Sequence, residues 1–306
     1  MSSSLHPQVP GSFAGIPAKT ESARALALLT AGVGPGAVTP TQVVIDGRAP
    51  HAVKRLADAL FHDPEVFVVA SGTRAPYVDP TGRYERVFVV GRHEYGAQRS
   101  QALVRRLRSR LVPDARFPAG VVAEAGGAPP QGVDFLDTTY DAFLWLVLGV
   151  LAVTYLILLR AFRSVLLPLV TVALNALTVA AVYGLLELAY GNVEGWIPVF
   201  LFATLFGLSM DYQVFLVMRV REEWDRLGET DAAVVAGLER TGRIITAAAL
   251  VMVGAFTGFL AGDVPGLREL GAGLTVAILL DATVVRMLLV PALLSALGRS
   301  AWRFPT

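Results

Sequence analysis

The chain has 306 residues, of which 54% are hydrophobic and 17% are charged, and its formal net charge is +1. A soluble globular protein carries roughly a quarter charged residues, so the composition excludes a chain that is soluble throughout. The near-neutral charge, with no basic stripe, argues against a nucleic-acid partner. Because there is no cysteine, disulfides and thiolate metal sites are excluded.

Residues 1–38 are rich in glycine, serine and proline, and this composition predicts an irregular N-terminal segment. The segment contains no apolar stretch preceded by basic residues, so the pattern predicts no secretory signal within it.

Residues 39–128 alternate between short β-rich runs and amphipathic helical patterns, as expected for an α+β domain. The predicted order is strand, helix, strand, strand, helix, strand, at 41–46, 49–63, 65–71, 86–92, 95–111 and 119–126. This βαββαβ order is typical of a ferredoxin-like sandwich. Its histidines have no metal-ligand spacing, so we predict no metal site here.

Residues 140–298 contain five apolar stretches, each close to the roughly 20 residues that a helix needs to cross a bilayer. The predicted spans are 141–159, 165–187, 197–218, 244–262 and 270–290. We therefore predict a polytopic α-helical bundle in the cell membrane, preceded by the ferredoxin-like domain.

The loops between the spans differ in their arginine content, which predicts the orientation of the chain. The arginine-rich side comprises the loops after the first and third spans and the C-terminal tail, whereas the opposite loops hold one arginine between them. The arginine-rich side is predicted to be cytoplasmic, which makes residues 1–140 extracytoplasmic and the C-terminus cytoplasmic.

A folded extracytoplasmic domain needs a signal or an upstream membrane helix to cross the membrane. We therefore expect the chain to lack a natural N-terminal portion. An in-frame continuation rich in hydrophobic segments upstream of Met1 would support this expectation, and a stop codon beside an unrelated gene would contradict it.

Three ionisable residues lie well inside the predicted spans: Asp211, Asp281 and Arg286, with Asn175 and Tyr212 as polar companions. Ionisable residues in spans are rare and mark ion pathways or proton relays, because a buried carboxylate can be tuned to load and release a proton. The alternative is that Asp211 pairs with an arginine, such as Arg286, to fix helix packing.

Asp281 and Arg286 are five residues apart, which is about 140° around an ideal α-helix. We therefore expect these two side chains to bond to neighbouring helices and not to each other.

Small residues at four-residue spacing predict close packing between helices. Ala203 and Gly207 precede Asp211 at this spacing, and Gly273 and Ala277 precede Asp281, so both carboxylates are predicted to lie on packed faces. The fourth span carries the same pattern at Gly254, Gly258 and Gly262.

Several sequence motifs in the second half of the chain resemble those of one family of membrane proteins. The stretch "IPVFLFATLFGLSMDYQVFLVMRVREEW" resembles the signature helix of the MMPL group of RND-superfamily membrane transporters. "RTGRIITAAALVMVGAF" and "LRELGAGLTVAILLDATVVRMLLVPALLSALGR" resemble the two helices that follow it, and "LRAFRSVLLPL" resembles the turn that joins the two preceding helices. The resemblance is close over 135–304, and the α+β unit is more loosely similar to a porter subdomain of that family.

The resemblance implies a proton-driven exporter of lipids or other hydrophobic molecules that uses the proton gradient and no cofactor. Such proteins carry two repeats, and this chain resembles the second repeat without its first helix. Asp211 and Tyr212 would face a matching pair from the first repeat and relay protons, and Asp281 and Arg286 would belong to the functional set. Where the family commonly has glutamate, this chain has Gln213.

The resemblance also implies partners: a lipid or hydrophobic substrate, membrane lipids and a first repeat supplied in cis or in trans. Whether the chain forms a homo-oligomer stays open. Two other functions remain open. The chain would be a non-transporting membrane accessory or a truncated fragment that binds lipid or a full-length partner. Alternatively, Asp211 and Asp281 would form an intramembrane aspartyl protease dyad. Neither aspartate lies in a G-x-G-D context, so we predict that the chain is not an enzyme.

Overall fold

A computed structural model describes residues 7–8, 19–191, 193–262 and 264–302, and for Pro7, Gln8, Asp211 and Pro265 it describes the backbone alone. The chain divides near residue 140 into two compact units. The N-terminal unit is α+β, and the C-terminal unit is helical.

The N-terminal unit is built on a four-stranded antiparallel sheet. Its strands are β2 (Thr41–Asp46), β3 (Val66–Ala70), β4 (Tyr84–Gly91) and β5 (Val122–Gly126), in the spatial order β3-β4-β2-β5. Strand β2 is central, and its alternating side chains Val43 and Ile45 are fully buried. The predicted succession of four strands and two helices is therefore present in the predicted order.

Two helical segments complete this unit and supply the other half of its apolar core. They are α2 (Pro50–Phe61) and α3 (Gln98–Arg106), which continues through a π turn (Leu107–Leu111) into the short α4 (Val112–Asp114). Leu56 and Leu60 of α2 and Leu103 and Leu107 of the second segment pack against the strands. Burial of this apolar surface provides the main driving force for folding of the unit.

The segment predicted to be irregular differs from the prediction, because it contains helix α1 (Glu21–Val33) and a 3-10 turn at Pro35–Val38. Thr20 is the N-cap of α1, and its Oγ1 accepts a hydrogen bond from the Ala23 amide at 3.2 Å. The alanine and leucine run after Glu21 favours a helix. Residues 7–8 form the two-residue strand β1, and the rest of 1–18 lies outside the described residues.

The C-terminal unit contains long helices that match the predicted spans. They are α5 (Ala128–Phe162), which begins before residue 140, α6 (Leu166–Tyr190), α7 (Ile197–Leu227), α8 (Thr230–Leu260) and a continuous helical run at Gly266–Trp302. Among the residues that the structure describes, five helices are thus long and apolar enough to cross a membrane. The two-residue strand β6 (Val193–Glu194) precedes α7. The described helices therefore agree with the predicted multi-pass membrane bundle.

The last helical run changes its hydrogen-bonding pattern in the middle. Helix α9 (Pro265–Leu280) continues into a π-helix at Asp281–Leu289, then into α10 (Val290–Leu297) and a 3-10 turn at Gly298–Trp302. Helix α9 packs against α6, α7 and α8. Polar side chains at its C-terminal end are therefore held among three neighbouring helices.

The packing of small residues differs in part from the prediction. Ala203, Gly207, Gly254 and Gly258 are exposed, and a side chain built on any of the three glycines would meet no atom within 4 Å. Spacing identifies a face that allows close approach, but it does not say whether a partner helix is present. Within the described chain, these faces have no partner.

Close helix approach occurs instead at Gly237, Gly271 and Gly273. A Cβ on Gly273 would lie 2.3 Å from Leu201 Cδ1, and one on Gly237 would lie 2.5 Å from Val220 Cγ2. The predicted packing of Gly273 and Ala277 beside Asp281 is confirmed, since Ala277 is fully buried. The neighbourhood of Asp281 is therefore tightly packed.

The C-terminal turn binds the ends of several helices together. The Trp302 ring stacks on the Trp224 ring, with centroids 5.6 Å apart, and the Arg221 guanidinium lies over both rings. Ser164 Oγ donates to the Ala301 carbonyl at 2.6 Å. Because Trp302 is buried, these contacts fix the turn against α6 and α7.

Candidate functional site

The centre of the candidate site is an ion pair between Asp281 and Arg286. Arg286 Nη2 lies 2.6 Å and Nε lies 2.9 Å from Asp281 Oδ2. The expectation that these two side chains would not bond to each other is wrong. It assumed α-helical geometry, whereas a π-helix has i→i+5 hydrogen bonds and so brings residues five apart onto one face.

Arg286 is one of the most deeply buried side chains, with 1% of its surface exposed, against 13% for Asp281. Besides its bonds to Asp281, its Nη2 donates to the Ser209 carbonyl at 2.5 Å, and its guanidinium lies 5.1 Å from the centre of the Tyr212 ring. Its Nη1 is buried and has no partner among the described residues. A buried charge needs such compensation, since isolated ions are strongly disfavoured away from water.

Ser209 and Asn175 extend the polar cluster to α6. Ser209 Oγ lies 3.0 Å from Asp281 Oδ1 and 2.9 Å from Asn175 Oδ1. Asn175 is buried, and its Nδ2 donates to Met210 Sδ at 2.9 Å. The structure therefore brings together four of the predicted polar residues, Asn175, Tyr212, Asp281 and Arg286, around Ser209.

Ser209 was missed by the sequence reasoning, although a signal for it existed. It precedes Tyr212 by three residues, and residues three apart lie on the same face of a helix. A serine in an apolar span is a weaker signal of a functional site than a charged residue, because its hydroxyl can bond to a carbonyl of its own helix. Here that hydroxyl points to Asp281 and Asn175.

Asp211, the predicted proton relay, belongs to α7, but its side chain lies outside the described part of the chain. Its position is about 200° around an ideal helix from Ser209. Its role as a relay therefore stays a prediction. Its neighbour Tyr212 donates from its hydroxyl to Met252 Sδ at 3.7 Å.

Gln213, which stands where the resembled family commonly has glutamate, is fully buried. Its Oε1 has no hydrogen-bond partner among the described residues. As a neutral amide, Gln213 adds no titratable carboxyl to the face that carries Ser209 and Tyr212.

A cavity of about 30 Å³ adjoins the cluster. Its lining includes Tyr212, Met252, Ile278, Asp281 and Arg286. A water occupies roughly 10–15 Å³ by this measure, whereas binding sites for drug-sized ligands are roughly 300–1,000 Å³. The cavity therefore has room for water and is far smaller than such a ligand site.

The titratable groups of the described site are Asp281 and Tyr212. Within the described ranges, no group of three histidine, aspartate or glutamate side chains is placed to hold a metal ion. Asp281 is a carboxylate next to a permanent cation, with Oδ2 bonded to Arg286 and Oδ1 facing Ser209.

Comparison with known proteins identifies the family. A sequence profile described as the MMPL family matches residues 17–306. The chain belongs to the MMPL family. This agrees with the resemblance seen in the motifs, and the members of this family are transporters and not enzymes.

Three relatives illustrate the similarity. The chain is 40% identical over 208 residues to the membrane protein SCO6666 of Streptomyces coelicolor, an alignment that covers 63% of this chain and 29% of that protein. It is 32% identical over 294 residues to the heme uptake protein MmpL11 of Mycobacterium tuberculosis, covering 89% and 30%. It is 36% identical over 201 residues to the trehalose monomycolate exporter MmpL3 of the same species, covering 61% and 21%. The chain thus spans less than a third of the length of each of these relatives.

Proposed function

We propose that this MMPL chain acts as the second repeat of a membrane exporter of lipids or other hydrophobic molecules, driven by the proton-motive force. The observation that carries the proposal is the buried Asp281–Arg286 pair within the membrane helices. Ionisable groups in such positions are strongly disfavoured and are retained for function, above all for proton or ion movement.

The size and chemistry of the site support protons as the coupling ion. The adjoining cavity of about 30 Å³ is too small for a lipid. Asp281 keeps Oδ1 free of arginine donors, so the carboxylate can take up a proton without breaking its bonds to Arg286. Each proton that crosses the membrane contributes about 2.3 kcal/mol per 100 mV of membrane potential.

Two exposed faces support a need for a partner repeat. One runs along α7 through Ala203 and Gly207 towards the Asp211 position, and the other runs along α8 through Gly254 and Gly258. Small residues in membrane helices favour close helix contacts. Both faces fit the first repeat of a complete transporter, whose matching Asp–Tyr pair would meet Asp211 and Tyr212.

The substrate class is proposed from two relatives. One is named a trehalose monomycolate exporter and the other a heme uptake protein. Both names refer to large molecules with extensive apolar surface. We therefore propose a lipid or similar amphipathic molecule, which would bind outside the small intramembrane cavity.

The arginine distribution supports an orientation with residues 1–140 outside the cell and the C-terminus inside. The βαββαβ succession and the strand order β3-β4-β2-β5 support a ferredoxin-like porter subdomain in the N-terminal unit. Movement of such a domain while protons load and leave would supply alternating access.

The experiment that tests this function measures export of a fluorescent lipid from proteoliposomes with an imposed pH gradient and membrane potential. The chain is reconstituted alone and together with the first repeat of a family member. We expect gradient-dependent export by the pair, and its loss in the double variant Asp281→Leu/Arg286→Met. The matched control Arg219→Gln/Glu222→Gln removes an exposed ion pair on α7 and should export normally. Gradient-dependent export by the double variant would contradict the proposal.

The alternative is a non-transporting accessory that binds lipid or a full-length partner. The exposed small-residue faces on α7 and α8 favour it equally, since they would also dock on another transporter. Proton-dependent export by the chain alone would exclude the accessory function. Absence of export in every combination, with stable binding to a full-length relative, would support it.

A further inference from the structure

The two oxygens of the Asp281 carboxylate have different partners. Oδ2 accepts two hydrogen bonds from Arg286, at 2.6 and 2.9 Å, whereas Oδ1 faces Ser209 Oγ at 3.0 Å. Because two charged N–H groups occupy Oδ2, a proton that binds this carboxyl group binds at Oδ1. The proton then lies on the side of Asp281 that faces Ser209.

The Ser209 hydroxyl has one hydrogen and two possible acceptors. Besides Asp281 Oδ1, it lies 2.9 Å from Asn175 Oδ1. While Asp281 is ionised, the hydrogen goes to Asp281, since a hydrogen bond to a charged acceptor is roughly twice as strong as one to a neutral acceptor. In that state Asn175 Oδ1 is left without a donor among the described residues.

Protonation of Asp281 reverses this arrangement. The new O–H at Oδ1 donates to Ser209 Oγ, so the hydroxyl can rotate and donate its own hydrogen to Asn175 Oδ1. In the structure Asn175 Nδ2 donates to Met210 Sδ, and its Oδ1 faces Ser209 Oγ. The chain of hydrogen bonds then runs from Asp281 through Ser209 to Asn175.

Arg286 remains supported in both states. Its Nη2 donates to the Ser209 carbonyl at 2.5 Å and lies 3.3 Å from Ser209 Oγ, and its guanidinium keeps the Tyr212 ring as a neighbour. The loss of negative charge on Asp281 therefore does not leave the guanidinium without partners.

From these contacts we propose that Ser209 and Asn175 form a two-state hydrogen-bond switch that stabilises the protonated form of Asp281. Ser209 acts as the positioning residue, and Asn175 is an acceptor that is satisfied only when Asp281 carries a proton. The use of this switch in transport rests on the proposed function, whereas its effect on proton binding does not.

Few other charges bear on this equilibrium. Among the described side chains, Arg286 is the charged group in contact with Asp281, and Tyr212 is the titratable neighbour on α7. Helices α6 and α8 contribute the neutral Asn175 and Met252. The side chain of Asp211 lies outside the described part of the chain, so the experiment must distinguish the Asp281 signal from that of Asp211.

The test titrates the purified chain in lipid nanodiscs and follows carboxyl protonation by infrared spectroscopy. The Asp281 band is assigned as the one absent in Asp281→Leu/Arg286→Met. In Asn175→Leu we expect the pH midpoint of this band to fall by about 0.5 to 1 unit, which corresponds to one neutral hydrogen bond. Thr178→Val is the matched control, because the Thr178 hydroxyl donates to the Leu174 carbonyl of its own helix and takes no part in the switch.

A second pair of variants separates the switch from a general effect on packing. In a Ser209→Ala background, Asn175→Leu should no longer move the midpoint, because the link between Asn175 and Asp281 is already broken. Ser209→Thr keeps the hydroxyl and should keep the response to Asn175→Leu.

An unchanged midpoint in Asn175→Leu, or an equal shift with and without the Ser209 hydroxyl, would overturn the switch. A shift as predicted, in a protein that moves no lipid, would leave the switch standing and count against the proposed function alone.

Discussion

Breaking the buried ion pair from one side should destabilise the chain far more than removing it whole. Asp281→Leu leaves the Arg286 guanidinium, which is 1% exposed, without its two hydrogen bonds to Oδ2. Hydrogen bonds to charged groups contribute about 1.5–3 kcal/mol each, and breaking a buried pair costs about 3–5 kcal/mol. We expect a loss of about 3–5 kcal/mol in the free energy of unfolding.

The opposite variant should be milder. Arg286→Met leaves Asp281, which is 13% exposed and can take up a proton, whereas a guanidinium stays charged. We expect a loss of about 1–3 kcal/mol. The double variant Asp281→Leu/Arg286→Met removes both charges and should lie within about 1 kcal/mol of the unmodified chain, since apolar replacements of buried pairs are often neutral.

The assay is equilibrium unfolding of the purified chain in mixed detergent micelles, followed by the fluorescence of its four tryptophans. The three variants and the unmodified chain form a double-mutant cycle. Additive losses in the double variant, or an Asp281→Leu chain that is more stable than Arg286→Met, would refute the reasoning about the pair.

Three further predictions follow from the site, the orientation and the C-terminal turn. Asp211→Asn should abolish proton-coupled export by a protein with both repeats while leaving membrane insertion intact; retained coupled export would exclude Asp211 as the relay. Because the chain has no cysteine, a membrane-impermeant maleimide should label Ser71→Cys in intact cells and Ser300→Cys only after permeabilisation, and the reverse pattern would contradict the orientation. Trp302→Ala should lower the free energy of unfolding by about 3–5 kcal/mol. Trp145→Ala, at a position that is 74% exposed, should change it by less than about 1 kcal/mol. Equal losses in the two variants would contradict a stabilising role of the stacked C-terminal turn.

The sequence predicts the membrane helices well because a bilayer demands long apolar runs. Each predicted span coincides with one of the long helices to within two residues, since 165–187 begins one residue before α6 and 244–262 ends two residues after α8. Several helices extend further than predicted, as in α7, which continues to Leu227 through charged residues. The strands could also be predicted, because the alternation of side chains in segments such as 41–46 reflects a sheet with one buried face and one more exposed face. Helix α1 was not predicted, because the glycines and serines around it indicated an irregular segment.

The errors at the site have a common physical origin. Asp281 and Arg286 contact each other because they lie on a π-helix. On an assumed α-helix, the same spacing places the two side chains on different faces. The exposed Gly207 and Gly254 carry the same pattern as the packed Gly273, so spacing cannot tell an occupied face from an open one. The importance of Ser209 follows from its contacts with Asn175 of α6 and Asp281 of the π-helix, which lie far from it in the sequence.

The most direct test of proton coupling through Asp281 and Arg286 measures lipid export and proton influx together in the same proteoliposomes, with the chain completed by a first repeat. We expect lipid to move only when the gradient is present, with accompanying proton influx, and both fluxes to disappear in Asp281→Leu/Arg286→Met. Lipid export without proton influx, or unchanged fluxes in that stable double variant, would contradict it.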